Sequence, residues 1–223
     1  MPPKVSIIIR AKNEERWIGH CLSAVFNQTY RDFEVIFVDN KSTDKTVDKA
    51  SQFPIEHVIT VDDFLPGKAI NMGVEMSKGK YIANLSAHCV PTTVNWLDDL
   101  VRNLDEDEEE IIAGVYGRQE PLEFTHDLDK RDLFITFGLD KRVLIKDTFY
   151  HNANSLTRRS VLDLIPFSDT VTNIEDIVWA REVINEGYRI IYEPEASVYH
   201  HHGIHQSGDT KRAKNIINII ESI

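Results

Sequence analysis

The sequence VSIIIRAKNEE at residues 5–15 begins as a run that is apolar except for Ser6 and ends in polar and charged residues. An apolar run of this length is typical of a strand that is covered on both faces, as in a parallel sheet. Apolar residues then recur at helical spacing between positions 17 and 25. A second strand pattern, EVIFV at 34–38, ends in the polar turn at 39–44. This alternation of strand and helix predicts an α/β fold with a mostly parallel sheet.

The same alternation continues along the chain. Further strands are predicted near 57–61, 81–85, 111–116, 188–192 and 197–199. Helices are predicted near 68–77, after Pro91, and over 175–186, where Gly187 ends the pattern. Residues 117–150 mix polar and aromatic side chains without a clear period, which predicts a variable loop region. The acidic run at 105–110 predicts a solvated loop or a fraying helix end, because like charges repel.

Composition excludes several classes of protein. The 223 residues carry 25 Lys and Arg against 36 Asp and Glu, a net charge of −11. A nucleic-acid binder is not expected, because phosphate neutralisation needs clustered basic residues. Two cysteines, Cys21 and Cys89, form no disulfide framework. The sequence shows neither a secretion signal nor a run of roughly 18–20 apolar residues. We therefore expect a cytoplasmic protein without a transmembrane segment, able to act at the inner face of a membrane.

Polar residues follow three of the predicted strands. They occupy positions 10–14, 39–44 and 86–88. Ligands of open α/β sheets bind beyond the carboxyl ends of the strands, so these segments are the candidates for a binding site. The chain has no GxGxxG after its first strand and no GxxxxGK[ST] motif, which excludes both common phosphate-binding fingerprints.

These motifs, in their order, resemble a known family. The segments at 5–15, 21–30 and 33–44 match the opening of inverting glycosyltransferases of family 2. The resemblance continues through 71–73, 79–82, 152–155, 175–176 and 192–196, and so covers nearly the whole chain. Residues 117–121 look most similar to the rhamnosyltransferase-type members. The resemblance implies a GT-A fold, a Rossmann-like, mostly parallel sheet flanked by helices.

One domain over 1–223 is expected from the resemblance. Residues 1–91 would form the nucleotide-sugar-binding half, 92–205 the acceptor side, and 206–223 a C-terminal helix. Asp39 matches the aspartate that accepts a hydrogen bond from the nucleotide base, which a carboxylate can do. The remaining positions assigned to the donor are Ala11, Glu14, Lys68, Asn71 and Ser86.

The pair Glu175-Asp176 matches the acidic pair of the family at the start of a helix. The resemblance implies that Asp176 removes the proton of the acceptor hydroxyl and that Glu175 supports it. A base of this kind must be ionised and within hydrogen-bond reach of the nucleophile. Acids at a helix N-terminus are also explained by the helix dipole alone.

The sequence departs from the family where Asp-x-Asp is expected. Ser86-Ala87-His88 stands there, and the second aspartate of that motif normally binds a divalent metal. His88 is a plausible replacement ligand, and imidazole suits Mn²⁺ or other transition metals better than Mg²⁺. Further ligands would come from His200 or His202, which strand alternation places on one face. Without a metal, His88 with Lys68 or Arg10 would balance the diphosphate charge, and the histidines would form a polar surface loop.

The function expected is transfer of a sugar from a nucleotide-sugar donor to a hydroxyl of a glycan or lipid-linked acceptor, in cell-envelope polysaccharide synthesis. Two alternatives remain open. A non-catalytic nucleotide- or glycan-binding domain is suggested by the missing Asp-x-Asp. A sugar-nucleotide nucleotidyltransferase would share the α/β layout, but its Gly-rich, basic opening is absent from residues 10–15.

Overall fold

A computed structural model describes residues 2–202 together with Lys214 and Asn218. The strands are β1 (Val5–Ala11), β2 (Phe33–Asp39), β3 (His57–Thr60), β4 (Tyr81–Ser86), β5 (Cys89–Pro91), β6 (Ile112–Pro121), β7 (Arg142–Leu144), β8 (Asn154–Arg158) and β9 (Arg189–His200). The helices are α1 (Ile18–Phe26), α2 (Thr46–Ala50), α3 (Pro66–Met76), α4 (Trp96–Asp105), α5 (Asp127–Thr136), α6 (Arg159–Leu164) and α7 (Glu175–Asn185).

All nine strands belong to one sheet with the order β3-β2-β1-β4-β8-β6-β9-β5, and β7 pairs with β9. The first four strands pair in parallel, whereas β8 is antiparallel to both β4 and β6. The predicted α/β architecture is confirmed, with a sheet that is parallel over its first four strands and mixed beyond them. The carboxyl ends of β2, β1 and β4 are therefore adjacent, and Arg10 on β1 faces Ser86 on β4 in register.

Two hydrophobic layers cover the two faces of the sheet. Alternate residues of β1 enter different layers, with Ile7 and Ile9 on one side and Ile8 on the other. Trp96 of α4 lies in the first layer and Trp179 of α7 in the second, and both are fully buried. Burying one isoleucine side chain of β1 stabilises the fold by roughly 1.5–3 kcal/mol. This double coverage explains why β1 is apolar at positions 5 and 7–9, whereas the buried Ser6 hydroxyl donates to Glu34 Oε1.

The second half of the chain is more regular than its sequence pattern indicates. Residues 117–150 contain the end of β6, helix α5 and strand β7, so the prediction of a loop region is wrong there. The strands predicted at 188–192 and 197–199 are one strand, β9. The register of β9 against β6 shifts between Gly117 and Gln119, opposite the segment that contains Pro194. Pro194 has no N–H to donate to the neighbouring strand, and the irregularity in pairing accommodates it. The strand β9 continues beyond this point.

The acidic run at 105–110 is not simply a solvated loop. Arg158 of β8 is buried, and its Nη2 donates to Asp107 Oδ2 at 2.8 Å and to the Leu104 carbonyl at 2.9 Å. Asp107 Oδ2 also accepts a hydrogen bond from the Ile112 amide at 2.7 Å. The prediction is therefore wrong for Asp107, because a buried guanidinium needs a paired carboxylate.

The predicted C-terminal helix at 206–223 lies outside the described residues, except for Lys214 and Asn218, which are helical. Within the part of the chain that the structure describes, no helix combines the length and the apolar content needed to cross a bilayer.

Candidate functional site

A cavity of about 440 Å³ opens at the carboxyl ends of β1 and β4. Its wall combines the loop after β1, the end of β4, the segment before β8, the start of α7 and the end of β9. Eight of the predicted site residues line it: Ala11, Glu14, Ser86, His88, Glu175, Asp176, His200 and His202. Residues far apart in sequence thus meet at the edge of the sheet where ligands of α/β folds bind.

The loop after β1 is fastened to the loop after β2. Asn13 adopts a positive φ of 55°, a conformation that asparagine tolerates better than most residues. Its side-chain oxygen accepts a hydrogen bond from the Thr43 amide at 2.8 Å, and its own amide donates to Ser42 Oγ. The Glu14 amide donates to Thr46 Oγ1 at 2.7 Å. These contacts fix the backbone of Glu14 beside the cavity.

Three histidines form a cluster on one side of the cavity. One ring nitrogen from each of His88, His200 and His202 lies within 4.8 Å of the others. The rings of His88 and His200 stack at 5.0 Å with an interplanar angle of 8°. His201 instead turns toward Trp17, at 5.2 Å between ring centroids, as alternation along a strand predicts.

His200 is the most enclosed member of the cluster. It is 2% exposed, and both of its ring nitrogens are buried without a hydrogen-bond partner among the described residues. Burial and the neighbouring His88 lower the pKa of His200 well below its usual value, which favours neutral imidazole. A buried polar atom without a partner is costly, and coordination to a metal would satisfy it. The cluster therefore fits a metal that accepts imidazole ligands.

Glu14 contacts this cluster directly. His88 Nδ1 lies 2.7 Å from Glu14 Oε1, and each side chain is 19% exposed. An ionised carboxylate can only accept a hydrogen bond, so this contact favours the tautomer of His88 with the proton on Nδ1. The resemblance predicts that Glu14 lines the donor site. In the structure, the Glu14 side chain also contacts His88.

The carboxyl pair lies at the opposite wall, in the first turn of α7. Asp176 accepts hydrogen bonds from the Ile177 amide at 2.9 Å and from the Asn152 amide at 3.4 Å, one on each oxygen. Glu175 Oε1 is 3.8 Å from Arg10 Nη1. Burial raises the pKa of both carboxyls above their usual range, and Asp176 raises that of Glu175 further, while Arg10 opposes the shift. The pair can therefore exchange a proton near neutral pH.

Asp39 lies at the end of β2, in register with Ala11, and is not itself among the residues that line the cavity, although the following Asn40 is. Its Oδ2 accepts a hydrogen bond from the Ser42 amide at 3.0 Å. Its Oδ1 is buried and has no hydrogen-bond partner among the described residues. A carboxylate oxygen in this state can accept a hydrogen bond from an N–H or O–H group.

Two further predicted donor residues lie away from the cavity lining. Asn71 donates to the Phe167 carbonyl at 2.7 Å and lines a separate cavity of about 930 Å³ near the end of α7. Lys68 is on the first turn of α3 and is not among the residues that line either cavity. The structure therefore does not bring these two residues together with the other eight.

The sequence did not reveal several side chains that line the cavity. His151 and Asn152 precede β8, and Thr172 and Asn173 precede α7. Asn173 has a positive φ of 67°, so it forms the turn that leads into the carboxyl pair. In the sequence, only the motif at 152–155 pointed to the part of the wall that precedes β8. This motif does not include His151.

The chain is similar to known glycosyltransferases. The family model of Glycosyl transferase family 2 matches residues 6–165. The glycosyltransferase AglE of Haloferax volcanii is 30% identical over 203 residues, which cover 85% of this chain and 64% of AglE. The O-antigen chain rhamnosyltransferase WbaN of Salmonella anatum is 27% identical over 214 residues, 90% of this chain and 67% of WbaN.

Solved structures share the fold at lower identity. TarS of S. aureus superposes with a TM-score of 0.69 at 18% identity, covering 89% of this chain and 60% of the TarS chain. A mannosyltransferase of Pyrobaculum calidifontis, solved with GDP-Man and Mn²⁺, superposes with a TM-score of 0.66 at 19% identity. The match covers 89% of this chain and 57% of the mannosyltransferase chain. The chain thus spans less than two thirds of AglE and of both these structures. The GT-A fold is confirmed, and the match to the family model shows that this chain belongs to glycosyl transferase family 2.

Proposed function

We propose that this chain is the catalytic domain of an inverting glycosyltransferase, with residues 1–91 binding a nucleotide-sugar donor and 92–205 forming the acceptor side. The observation that carries the proposal is the shared cavity: the Glu175–Asp176 pair and the histidine cluster line the same space. A base for the acceptor and a site for the leaving diphosphate are the two elements that a direct displacement requires.

Asp176 is proposed as the base. It takes the proton of the acceptor hydroxyl while that oxygen bonds to the anomeric carbon, and the bond from this carbon to the diphosphate breaks with its electron pair leaving on the nucleotide. The two amide hydrogen bonds to Asp176 fix its carboxyl group. Glu175, held near Arg10, positions the acceptor or the base. A base whose pKa is raised toward neutrality matches the pH at which it must work.

The donor is proposed to bind along the carboxyl ends of β1, β2 and β4. Asp39 would accept a hydrogen bond from the base through Oδ1, which is buried without a partner in the described part of the chain. Ala11 and Ser86 lie between Asp39 and the histidine cluster on adjacent strands, which suits the sugar and diphosphate of the donor. Lys68 and Asn71 remain predictions for this role.

A divalent metal is proposed to bind His88, His200 and His202, where it would offset charge on the leaving diphosphate. Three imidazoles suit Mn²⁺ or a later transition metal and suit Mg²⁺ poorly. The Pyrobaculum calidifontis neighbour was solved with Mn²⁺, which supports a metal in this fold.

The acceptor is proposed to be a glycan or lipid-linked sugar in cell-envelope polysaccharide synthesis, on the cytoplasmic side of the membrane. WbaN, an O-antigen chain rhamnosyltransferase, supports this assignment. Its sequence match extends over 90% of this chain, including the acceptor side.

Calorimetric titration tests the donor site. UDP, dTDP, GDP and CMP are titrated into wild type and His88→Ala, with and without Mn²⁺. Binding of one nucleotide that weakens without Mn²⁺ and in the variant supports the proposal and identifies the donor class. Metal-independent binding would assign the diphosphate to protein cations instead.

A transfer assay with the corresponding nucleotide sugar then compares wild type with Asp176→Asn. We expect at least a hundredfold loss of rate with the nucleotide affinity kept. Near-normal transfer would reject Asp176 as base. Nucleotide binding without any turnover would favour a non-catalytic domain, and release of pyrophosphate from a nucleoside triphosphate would favour a nucleotidyltransferase.

A further inference from the structure

The contact between Glu14 and His88 places a carboxylate directly behind one member of the histidine cluster. His88 Nδ1 lies 2.7 Å from Glu14 Oε1, and both side chains are largely buried. Because an ionised carboxylate accepts hydrogen bonds and cannot donate them, this contact favours a proton on Nδ1. With the proton on Nδ1, the lone pair of the imidazole is on Nε2. A histidine in this tautomer offers Nε2 as its ligand atom.

We propose that Glu14 is the positioning residue of a three-histidine transition-metal centre, holding His88 in the tautomer that offers Nε2 to the metal. The inference rests on the proposed function, because the centre belongs to the same cavity. It gives Glu14 a role different from donor binding. A carboxylate that accepts from the far nitrogen of a metal-bound histidine fixes the ring and makes it a stronger ligand.

The backbone around Glu14 is built to hold this position. The Glu14 amide donates to Thr46 Oγ1, and the preceding Asn13 bonds to Ser42 and Thr43. The loop after β1 is therefore tied to the loop after β2. The backbone of Glu14 is thus fixed in place. Its side chain contacts His88.

The distances within the cluster suit one ion. The three ligand nitrogens lie within 4.8 Å of one another. Nitrogens bound to one ion in tetrahedral geometry are about 3.4 Å apart, since each metal–nitrogen bond is about 2.1 Å. The rings therefore need to approach one another by up to about 1.4 Å, which requires rotation of the side chains. His200 supplies a buried ring whose nitrogens have no hydrogen-bond partner among the described residues.

The donor set also determines the class of metal. Three imidazoles without a carboxylate ligand favour later first-row ions, whose affinity rises from Mn²⁺ through Co²⁺ to Ni²⁺. Mg²⁺ prefers oxygen ligands in octahedral geometry. We therefore expect Co²⁺ to bind more tightly than Mn²⁺, and millimolar Mg²⁺ to leave bound Co²⁺ in place.

The test measures Co²⁺ binding by its visible absorption, without donor or acceptor. Wild type is compared with Glu14→Gln, which removes the charge and keeps the shape, and with Glu15→Gln as a matched exposed control. Glu14→Gln should weaken Co²⁺ binding by about 10–100-fold. The control should bind within twofold of wild type. Equal affinity in Glu14→Gln and wild type would overturn the proposal.

A second measurement does not depend on the folding of a variant. Nitrogen-15 NMR of the imidazole rings in metal-free wild type should show His88 protonated on Nδ1. Protonation on Nε2 would overturn the proposal, and so would displacement of Co²⁺ by equimolar Mg²⁺. These results are separate from nucleotide binding and sugar transfer. A protein that transfers sugar but binds Co²⁺ equally well in Glu14→Gln retains the proposed function and loses this inference.

Discussion

Arg10 Nη1 lies 3.8 Å from Glu175 Oε1, so a cation from the end of β1 faces the carboxyl pair at the start of α7. Both side chains are largely buried, and Arg10 Nη1 also donates to the Pro66 carbonyl at 3.2 Å. The charge of Arg10 lowers the pKa of both Glu175 and Asp176 against the opposing effect of burial. Arg10 thus sets how far toward neutral pH the pair is protonated.

Arg10→Gln should move the acidic limb of the transfer reaction to higher pH. A base works only when ionised, so activity falls as the pH drops through its pKa. Removal of the positive charge raises that pKa further, and the limb in kcat/KM moves with it. The measurement is kcat/KM between pH 5 and 9 with the donor identified by calorimetry.

The control for this prediction is Lys12→Gln. Lys12 lines the same cavity but is exposed and donates to the Asn40 carbonyl. The charge of Lys12 is not among those that shift the pKa of Glu175 or Asp176. The acidic limb of kcat/KM in Lys12→Gln should therefore stay at the wild-type position. An unchanged or more acidic limb in Arg10→Gln would contradict the assigned electrostatics.

Glu175→Gln should stabilise the protein at pH 8 while impairing transfer. Burial raises the pKa of Glu175 above its unfolded value, so the ionised form destabilises the native state. This penalty is present above the folded pKa and disappears as the pH falls below the unfolded pKa. The gain should be on the order of 1 kcal/mol, or about 2–4 °C in Tm for a chain of this size.

Thermal unfolding at pH 8 and at pH 4 measures this difference. The gain of Glu175→Gln over wild type should shrink at the lower pH, where the carboxyl is protonated in both states. Glu123→Gln, at an exposed position, should change Tm at neither pH. A Tm at pH 8 that equals or falls below the wild-type value would show that Arg10 fully offsets the burial of Glu175.

Arg158→Met should destabilise the fold strongly, although Arg158 lies outside the cavity. The substitution leaves Asp107 without its cation and the Leu104 carbonyl without its donor. Breaking a buried ion pair from one side costs about 3–5 kcal/mol. Urea unfolding should show this loss, whereas Arg131→Ala, at an exposed position of α5, should stay within about 0.5 kcal/mol of wild type. A decrease of less than about 1 kcal/mol in the free energy of unfolding would mean that water takes the place of the Arg158 guanidinium as the partner of Asp107.

The sequence pattern predicted the fold best where the strands are parallel and buried on both faces. Residues 7–9 and 35–38 are apolar throughout, and β1 and β2 are found there. The second half was harder, because β6, β8 and β9 pair across large sequence separations and carry polar residues such as Gln119 and Glu193 inside the sheet. Short-range periodicity contains no information on such pairings.

The site was predicted through its motifs and not through its contacts. Resemblance drew attention to His88 and to the Glu175–Asp176 pair, and the structure places all three in one cavity. The bond between Glu14 and His88 joins residues 74 positions apart. It exists because β1 and β4 are neighbours in the sheet, a relation that no local pattern contains. His151 was missed for the same reason.

Gly117→Ala should damage the sheet beside the cavity. A Cβ at Gly117 would lie 2.0 Å from the Ala196 carbonyl oxygen and 2.4 Å from Asn154 Nδ2. The first neighbour is backbone, and the second donates to that same carbonyl at 2.8 Å, so neither can yield without breaking the contact of β9 with β8. Overpacking of this kind costs about 1–3 kcal/mol or more. Gly138→Ala is the matched control, because a Cβ there meets no atom within 4 Å. Urea unfolding should separate the two variants, and similar stabilities would show that β6 and β9 can move apart at the register shift.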